Sequence, residues 1–581
     1  MSDSENNILS THISEKANLI WAIADKLTGH YKPHEYGKVI LPMTVIRRFD
    51  NILSGTKEKV LKKWKEVKGK PNAELYLTTA SGFSFYNVSK YTFETLLDDA
   101  SNIEANFRDY LNGFSQNIRD ILKNFDFDKE IEKMAQKDIL YIVVQEFTTP
   151  NADLHPSKIS NLEMGYIFEE IIRRFSESHN EDAGQHYTPR EVIRLMVNIL
   201  FNDDNELLSG ESTFKTIYDP ACGTGGMLSV AEEYLKSLNG GAQLLPFGQE
   251  INDETFAICK ADMLIKGNDA TNIKNGNTLS GDAFSKEKFD YIISNPPFGR
   301  EWKNEKSKIE AEAKRGFDGR FGAGLPAVGD GQMLFLQTAI SKMKDPANGG
   351  TRIAIIHNGS PLFTGDAGSG PSEIRRYILE HDLLEAIIAL PNDIFYNTGI
   401  ATYIWVLSNK KKGTKREGKV QLINAVELYQ PRRKSLGYKR NDIPQASIDK
   451  ITKLYGEFKK SPISKIFKNE EFGYTTITVE RPLLDDGGKP VLKKGKPQTD
   501  ASRRDTENVP LSESIDAYFE REVLPYSPDA WIDRKKSKVG YEIPFTRYFY
   551  QYQPPKPCAE IMEEIIALEK ELDGSIKEIF K

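Results

Sequence analysis

From residue 161 to 408 the chain repeats one alternation, a short run rich in β-branched and aromatic residues followed by a longer stretch with helical spacing. The runs are "KTIYD", "LLPFGQEI", "NTLSGD", "FDYIISN", "TRIAIIHN", "LLEAIIAL" and "TYIWVLSN". Most are continuously apolar, so the strands they predict need cover on both faces. That requirement points to an α/β layered domain with a mostly parallel sheet. A buried helix is the alternative for any one run, but the repeated alternation makes it a poor account of the whole set.

The 581 residues are too many for a single hydrophobic core. Residues 1–150 read as a helical domain: "SEKANLIWAIADKLTG" puts Leu19, Ile20, Ile23 and Leu27 on one face, with Gly29 as C-cap. Residues 151–410 hold the layered domain. Residues 411–555 read as an extension of loops and short elements, with basic turns such as "KKGTKREGK" and then a stretch rich in Gly, Pro and Lys. Residues 556–581 form a helical tail. Its apolar stripe of Ile561, Ile565, Leu568, Leu572, Ile576 and Ile579 must pack on this chain or on a partner subunit. The three cysteines, Cys222, Cys259 and Cys558, are far apart and odd in number, which speaks against a disulfide framework or a thiolate metal site. No run of eighteen apolar residues and no basic-then-apolar N-terminus occur, so no membrane association and a cytoplasmic location are expected. The net charge of −6 leaves nucleic-acid binding to local basic clusters or to partner subunits.

"TIYDPACGTGGML" passes from a strand into Asp219-Pro220-Ala221-Cys222-Gly223-Thr224-Gly225-Gly226 and then into a helix. Glycines at such a turn admit positive φ and a close ligand. A dinucleotide turn would be longer, and a carboxylate would repel its pyrophosphate. The aspartate instead suits the ammonium of a cofactor that carries an α-amino acid, such as S-adenosyl-L-methionine. A tight turn with no ligand is the alternative. Asp219 is then the candidate for the ammonium, and Gly223 and Gly225 should leave room for the cofactor, beside Ala221, Thr224 and Gly226. Cys222 reads as a small apolar filler. The next strand ends at Glu250, placed to accept from ribose hydroxyls, and "NTLSGDAF" offers Asp282 for the adenine amino group. In "GQHYTPREV", Thr188 reads as an N-cap with Pro189 at the first helical position and Glu191 completing a capping box. Capping leaves Gln185 and Tyr187 unexplained, and these two, with Thr188, are the candidates to close over the methionine end of the cofactor.

"FDYIISNPPFGR" ends a strand on Asn295-Pro296-Pro297-Phe298. A plain strand exit is one reading, since proline cannot donate to a ladder. The other reading is a rigid acceptor cradle. The Asn295 side-chain oxygen and the Pro296 carbonyl can each accept a hydrogen of an amino group, and the two prolines restrict the backbone. Phe298 offers a face on which a base could stack. The charged, then Gly-rich stretch 300–330 reads as a solvated loop or one that orders over a base. Arg375 and Arg376 could meet phosphate or simply be solvated.

Together "GQHYTPREV", "DPACGTGGML" and "NPPFG", with the N-terminal "IWAIADKLTGHYKPHEYGKVILPMTVIRRFDNIL" and the C-terminal "RDTENVPL", "YSPDAWID" and "YFYQYQPPKP", resemble the modification (M) subunit of type I restriction–modification systems. The resemblance covers nearly the whole chain. It implies a Rossmann-like S-adenosylmethionine-dependent methyltransferase sheet and adenine-specific DNA methylation, with S-adenosyl-L-homocysteine as product. It also implies as partners double-stranded DNA, a specificity subunit, a second copy of the modification subunit, and a restriction endonuclease/translocase subunit. A solitary adenine methyltransferase that reads its own target, a glutamine methyltransferase and a non-catalytic cofactor-binding scaffold are the alternatives. Intact Asp219, Asn295 and Phe298 weigh against the scaffold.

Overall fold

The computed structural model describes residues 23–177, 188–202, 204–210, 213–396, 398–493, 495–550, 552 and 556–579. The chain forms two compact units, Met1–Ile543 and Pro544–Lys581.

In the first unit, helix α1 (Gly37–Leu53) is buried nearly all round, as only the centre of a helical layer allows. The helices Phe127–Gln136 and Leu140–Phe147 pack against it. Of the helix expected before it, Ala24–Leu27 is helical and Gly29 takes φ 84°; Leu19 and Ile20 lie outside the described residues. Arg48 of α1, fully buried, donates to Ile159 O at 2.8 Å and to Asn161 Oδ1 at 2.6 Å. These bonds pin the start of the next helix, α2 (Asn161–Glu177), to the layer.

The layered domain follows with a nine-stranded sheet. Its strands are β1 (Phe214–Asp219), β2 (Gln243–Glu250), β3 (Ile273–Asn275), β4 (Tyr291–Ser294), β5 (Arg352–Asn358), β6 (Leu384–Ala389), β7 (Thr402–Ser408) and β8 (Lys419–Asn424). After a small ribbon of β9 (Gln430–Leu436) and β10 (Lys439–Asp442), β11 (Ser464–Lys468) closes the edge. The order is β11-β8-β6-β7-β5-β4-β1-β2-β3, with β7 and β11 antiparallel to their neighbours and the other pairs parallel. The molecule is thus a mixed α/β fold with a Rossmann-like core, as expected. From β1 the chain winds outward through β2 and β3, then returns to β4 on the other side of β1. Ligands in open α/β sheets bind at such a reversal, beyond the strand ends.

The connecting helices include α3 (Arg190–Phe201), α4 (Gly226–Leu238), α5 (Asp253–Lys266), α6 (Gln332–Ser341), α7 (Gly370–Glu380) and α8 (Gln445–Glu457). Helix α3 packs against α4 and α8, and α6 packs against β5 and α7.

Three expectations are corrected. "NTLSGD" is not a strand: the edge strand is the earlier Ile273–Asn275, and 276–284 is irregular. The run lacks the β-branched density that would hold it extended. The stretch 300–330 is not a solvated loop. Trp302, Ile309 and Phe321 are buried, and Arg320 donates to Glu312 and to the carbonyls of Thr278 and Leu279. The extension over 411–555 is more regular than loops and short elements. Strands β8 and β11 complete the central sheet, and β12 (Gly473–Glu480) pairs with three further segments around a core of Ile477, Val479, Val509, Phe519 and Val523. These strands are half exposed and rich in Thr and charge, so they show no apolar run.

Arg375 is neither a phosphate ligand nor solvated, whereas Arg376 stays partly exposed in a surface ion pair. Arg375 is buried and donates to the carbonyls of Pro361 and Thr364 at 3.0 and 2.9 Å and to that of Tyr541, and Arg376 pairs with Glu380 at 2.9 Å. Among the described residues no helix is long and apolar enough to cross a membrane. In the second unit, helix α9 (Cys558–Ile579) exposes Ile561, Met562, Ile565, Ile566 and Leu568.

Candidate active site

Strand β1 ends on Asp219, which is buried among the ends of β1, β2 and β4. Its Oδ1 accepts from Ala221 N at 2.9 Å and from Ser294 Oγ at 2.8 Å. Burial pushes this carboxyl up to about 7, against the pull of those two donors and with a smaller push from Glu250. A buried carboxylate held in this way has strong reason to receive a cation.

The chain then turns through Gly223 at φ 55° and Gly225 at φ 82° into α4. Both glycines are needed for backbone conformation, but the expected spare room is not at Gly225. A Cβ there would lie 2.7 Å from Cys259 Sγ, so the turn is packed against α5. Cys222 fills space beneath Gly248, as a filler should, and its thiol is pushed up by hydrogen bonding to Cys259 and by burial.

Glu250, at the end of β2, is buried and accepts two backbone N–H groups: Gly223 at Oε2 and Asn252 at Oε1, each at 2.8 Å. The carboxylate therefore holds the glycine turn in place and keeps a lone pair on each oxygen. Asp282 is a different case. It ends no strand, and its carboxylate pairs with the buried Lys342 Nζ at 2.5 Å, away from the groove. The expected adenine contact finds no support, because Asp282 is not among the residues that line either cavity of the groove.

At the end of β4, Asn295 Nδ2 donates to Thr188 Oγ1 at 2.9 Å. The Thr188 hydroxyl lies 3.8 Å from Met227 Sδ and donates to it, which leaves its oxygen as the acceptor. This relay fixes the amide orientation. Among the described residues, Asn295 Oδ1 is left buried and without a hydrogen-bond partner. Thr188 is therefore not the expected N-cap. Pro189 takes that place, one residue later, without a side-chain cap, and Glu191 pairs with Lys439 instead of closing a capping box. Asn295 has claimed the hydroxyl. Pro296 is buried, Pro297 half-buried, and Phe298 half-buried and edge-on to Phe395 at 6.3 Å. Gly299 at φ 65° lets the chain turn away.

Two cavities meet at this place. One is walled by Thr188, Asp219, Ala221, Gly223, Thr224, Gly226 and Asn295. The other, of about 310 Å³, lies beyond Ala221 between Glu250, Ile251, Asn277, Thr278, Pro297 and Phe335. Ala221 borders both, so one groove runs along the strand ends. Gln185 and Tyr187 lie outside the described residues.

The sequence reading missed Ile251, Asn277 and Thr278, although two of them follow a strand end closely enough to have been found. It also missed Glu169, which lines the Asp219 cavity from α2 and bonds Arg190 NH2 at 2.7 Å. Nothing in the local sequence marks that contact.

A glycine turn at the reversal point of a parallel sheet, with a carboxylate ending each of two adjacent strands, is the plan of the S-adenosylmethionine-dependent methyltransferases. Comparison with known proteins narrows the class. The profile described as N-6 DNA Methylase matches residues 160–475, and that of the HsdM N-terminal domain matches 16–147. The chain is 25% identical over 503 residues to the type I restriction enzyme MjaIX methylase subunit of Methanocaldococcus jannaschii, covering 81% of this chain and 82% of that one. It is 28% identical over 351 residues to the HindI methylase subunit of Haemophilus influenzae, covering 60% and 70%. The crystal structure of the type I restriction–modification methyltransferase subunit from Streptococcus thermophilus shares the fold, with a TM-score of 0.63 at 23% identity over 79% of this chain and 97% of that one. The chain belongs to the N-6 DNA methylase family, among the methyltransferase (M) subunits of type I restriction–modification systems. Its class of reaction is S-adenosylmethionine-dependent methylation of adenine N6 in DNA.

Proposed function

We propose that this chain transfers a methyl group to the N6 amino group of an adenine turned out of double-stranded DNA, as the modification subunit of a type I complex. The observation that carries the reading is Asn295 Oδ1: a buried acceptor with no partner, on an amide that Thr188 holds in one orientation. A buried acceptor left open is unfavourable by about 1–3 kcal/mol, and an amino hydrogen would satisfy it.

The residues fit the cofactor. Asp219 suits an ammonium, Glu250 retains acceptor capacity for ribose hydroxyls, and Ile251 and Pro297 supply apolar walls for an adenine. Gly223, Thr224 and Gly226 line the methionine side beside Ala221. Bound S-adenosylmethionine supplies an electrophilic methyl on a sulfonium. The chain's own part is to aim the nucleophile. Asn295 Oδ1 and the Pro296 carbonyl each accept one amino hydrogen, which draws the nitrogen lone pair out of the ring and turns it toward the methyl. Pro296 and Pro297 keep those acceptors rigid, so alignment is built in before the reaction. Phe298 stacks on the extruded base and offsets part of the unstacking, which costs a few kcal/mol. No general base is needed at Asn295, because the extra proton leaves after transfer.

The specificity subunit would choose the site, with a second modification subunit beside this one and an endonuclease/translocase subunit for cleavage. The apolar residues of α9 are the candidate contact with a partner subunit. The test is methylation of a mixed-sequence duplex with and without the specificity subunit. N6-methyladenine should form only with it, and Asn295→Ala should lower the rate by about 10²–10³ with cofactor binding retained. Site-specific methylation by the chain alone would sink the subunit role. An active Asn295→Ala would sink the mechanism.

A further inference from the structure

We propose that Glu169, on α2, is a recognition residue for the amino-acid end of the cofactor, standing with Asp219 as the second carboxylate of its cavity. The proposal rests on the function proposed above and adds to it a residue some fifty positions upstream of the glycine turn.

The Glu169 side chain is 10% exposed, and the surface it keeps lines the cavity that also holds Asp219, Thr188 and Asn295. One of its oxygens accepts from Arg190 NH2 at 2.7 Å, and the Arg190 guanidinium lies on the Tyr166 ring. The other oxygen is placed so that a Cβ on Gly226 would come within 2.5 Å of it. Gly226 has no positive φ to demand glycine. Its missing side chain is what admits the carboxylate at the first turn of α4.

An α-amino acid carries one ammonium and one carboxylate. The cavity answers the ammonium with acceptors from Asp219 and Glu169. Helix α2 also packs on α1 and α5, so the helical layer itself sets where this carboxylate stands.

The test uses calorimetry on the full chain with two ligands that share an adenosine and a sulfur. S-adenosylhomocysteine has the amino-acid end; 5′-methylthioadenosine lacks it. Glu169→Gln keeps the shape and removes the charge. It should weaken S-adenosylhomocysteine at least about tenfold, as expected for a lost charge-assisted hydrogen bond, and leave 5′-methylthioadenosine unchanged. Gly226→Ala, which displaces the carboxylate, should give the same selective loss and carries the test if Glu169→Gln fails to fold. Equal losses for both ligands, or no loss for either, overturn the proposal while the function stands. A wild-type chain that binds neither ligand overturns the function and this proposal with it.

Discussion

Two side chains carry the proposed chemistry, and each makes a prediction of its own. The Asn295 amide is oriented by one hydroxyl. Thr188→Val keeps the volume and removes the acceptor, so the amide can turn its nitrogen into the site. Single-turnover methylation should slow by about 10–10²-fold, and Thr188→Ser should recover most of the rate. Burial pushes the Asp219 carboxyl up to about 7. The carboxylate is the form that takes an ammonium, and the bound cation then lowers its pKa. Cofactor affinity should therefore be constant above about pH 7 and fall about tenfold per unit below it. Calorimetry in two buffers of different ionisation enthalpy at about pH 6 should show nearly one proton released on binding. Asp219→Asn should weaken binding and flatten the profile.

Among the elements, the strand ends were legible and the irregular segments were not. The segments 219–226 and 295–298 carry their turn chemistry within a few residues, so glycine and proline placement marks them in sequence. Asp282 looked like a third strand-end acid only because "NTLSGD" was taken for a strand. Its ion pair with Lys342 joins residues sixty positions apart, and no local pattern reveals it. Asp282→Asn leaves the Lys342 ammonium buried without its partner, so it should lower stability by about 3 kcal/mol in denaturant unfolding. Cofactor affinity should stay within about twofold of wild type; a larger loss would return Asp282 to the groove. The Thr188 relay and Glu169 were hidden for the same reason, since both contacts cross between elements. The β12 sheet was hidden for another: its outward faces are polar, so its strands lack the apolar runs that marked β1, β4, β5, β6 and β7.

Over the whole molecule, every described residue that lines the two cavities belongs to the first compact unit. Truncation before Cys558 should therefore leave cofactor binding intact and weaken association with the specificity subunit, as measured by sedimentation or gel filtration of the mixed subunits. Unchanged assembly would remove α9 from the interface. Exposure of the stripe is observed at Ile561, Ile565 and Leu568; Leu572, Ile576 and Ile579 have no described side-chain placement. The helical layer was legible as a layer from its periodicity. Its hold on the first turn of α2 through Arg48 was not, because a lone arginine in an apolar helix carries no sign of its buried partners.

On the proposed mechanism, the orphaned oxygen of Asn295 would also act as a filter. A guanine or thymine turned into the same place would present its own carbonyl oxygen to Oδ1 and to the Pro296 carbonyl. Acceptors would then face acceptors, with no hydrogen between them. Sites built around a required hydrogen bond reject the wrong partner by as much as about 10⁴–10⁵. The chain can thus leave the reading of flanking sequence to another polypeptide and still refuse the two keto bases. Cytosine, which also bears an exocyclic amine, passes that filter and must be turned away by size alone.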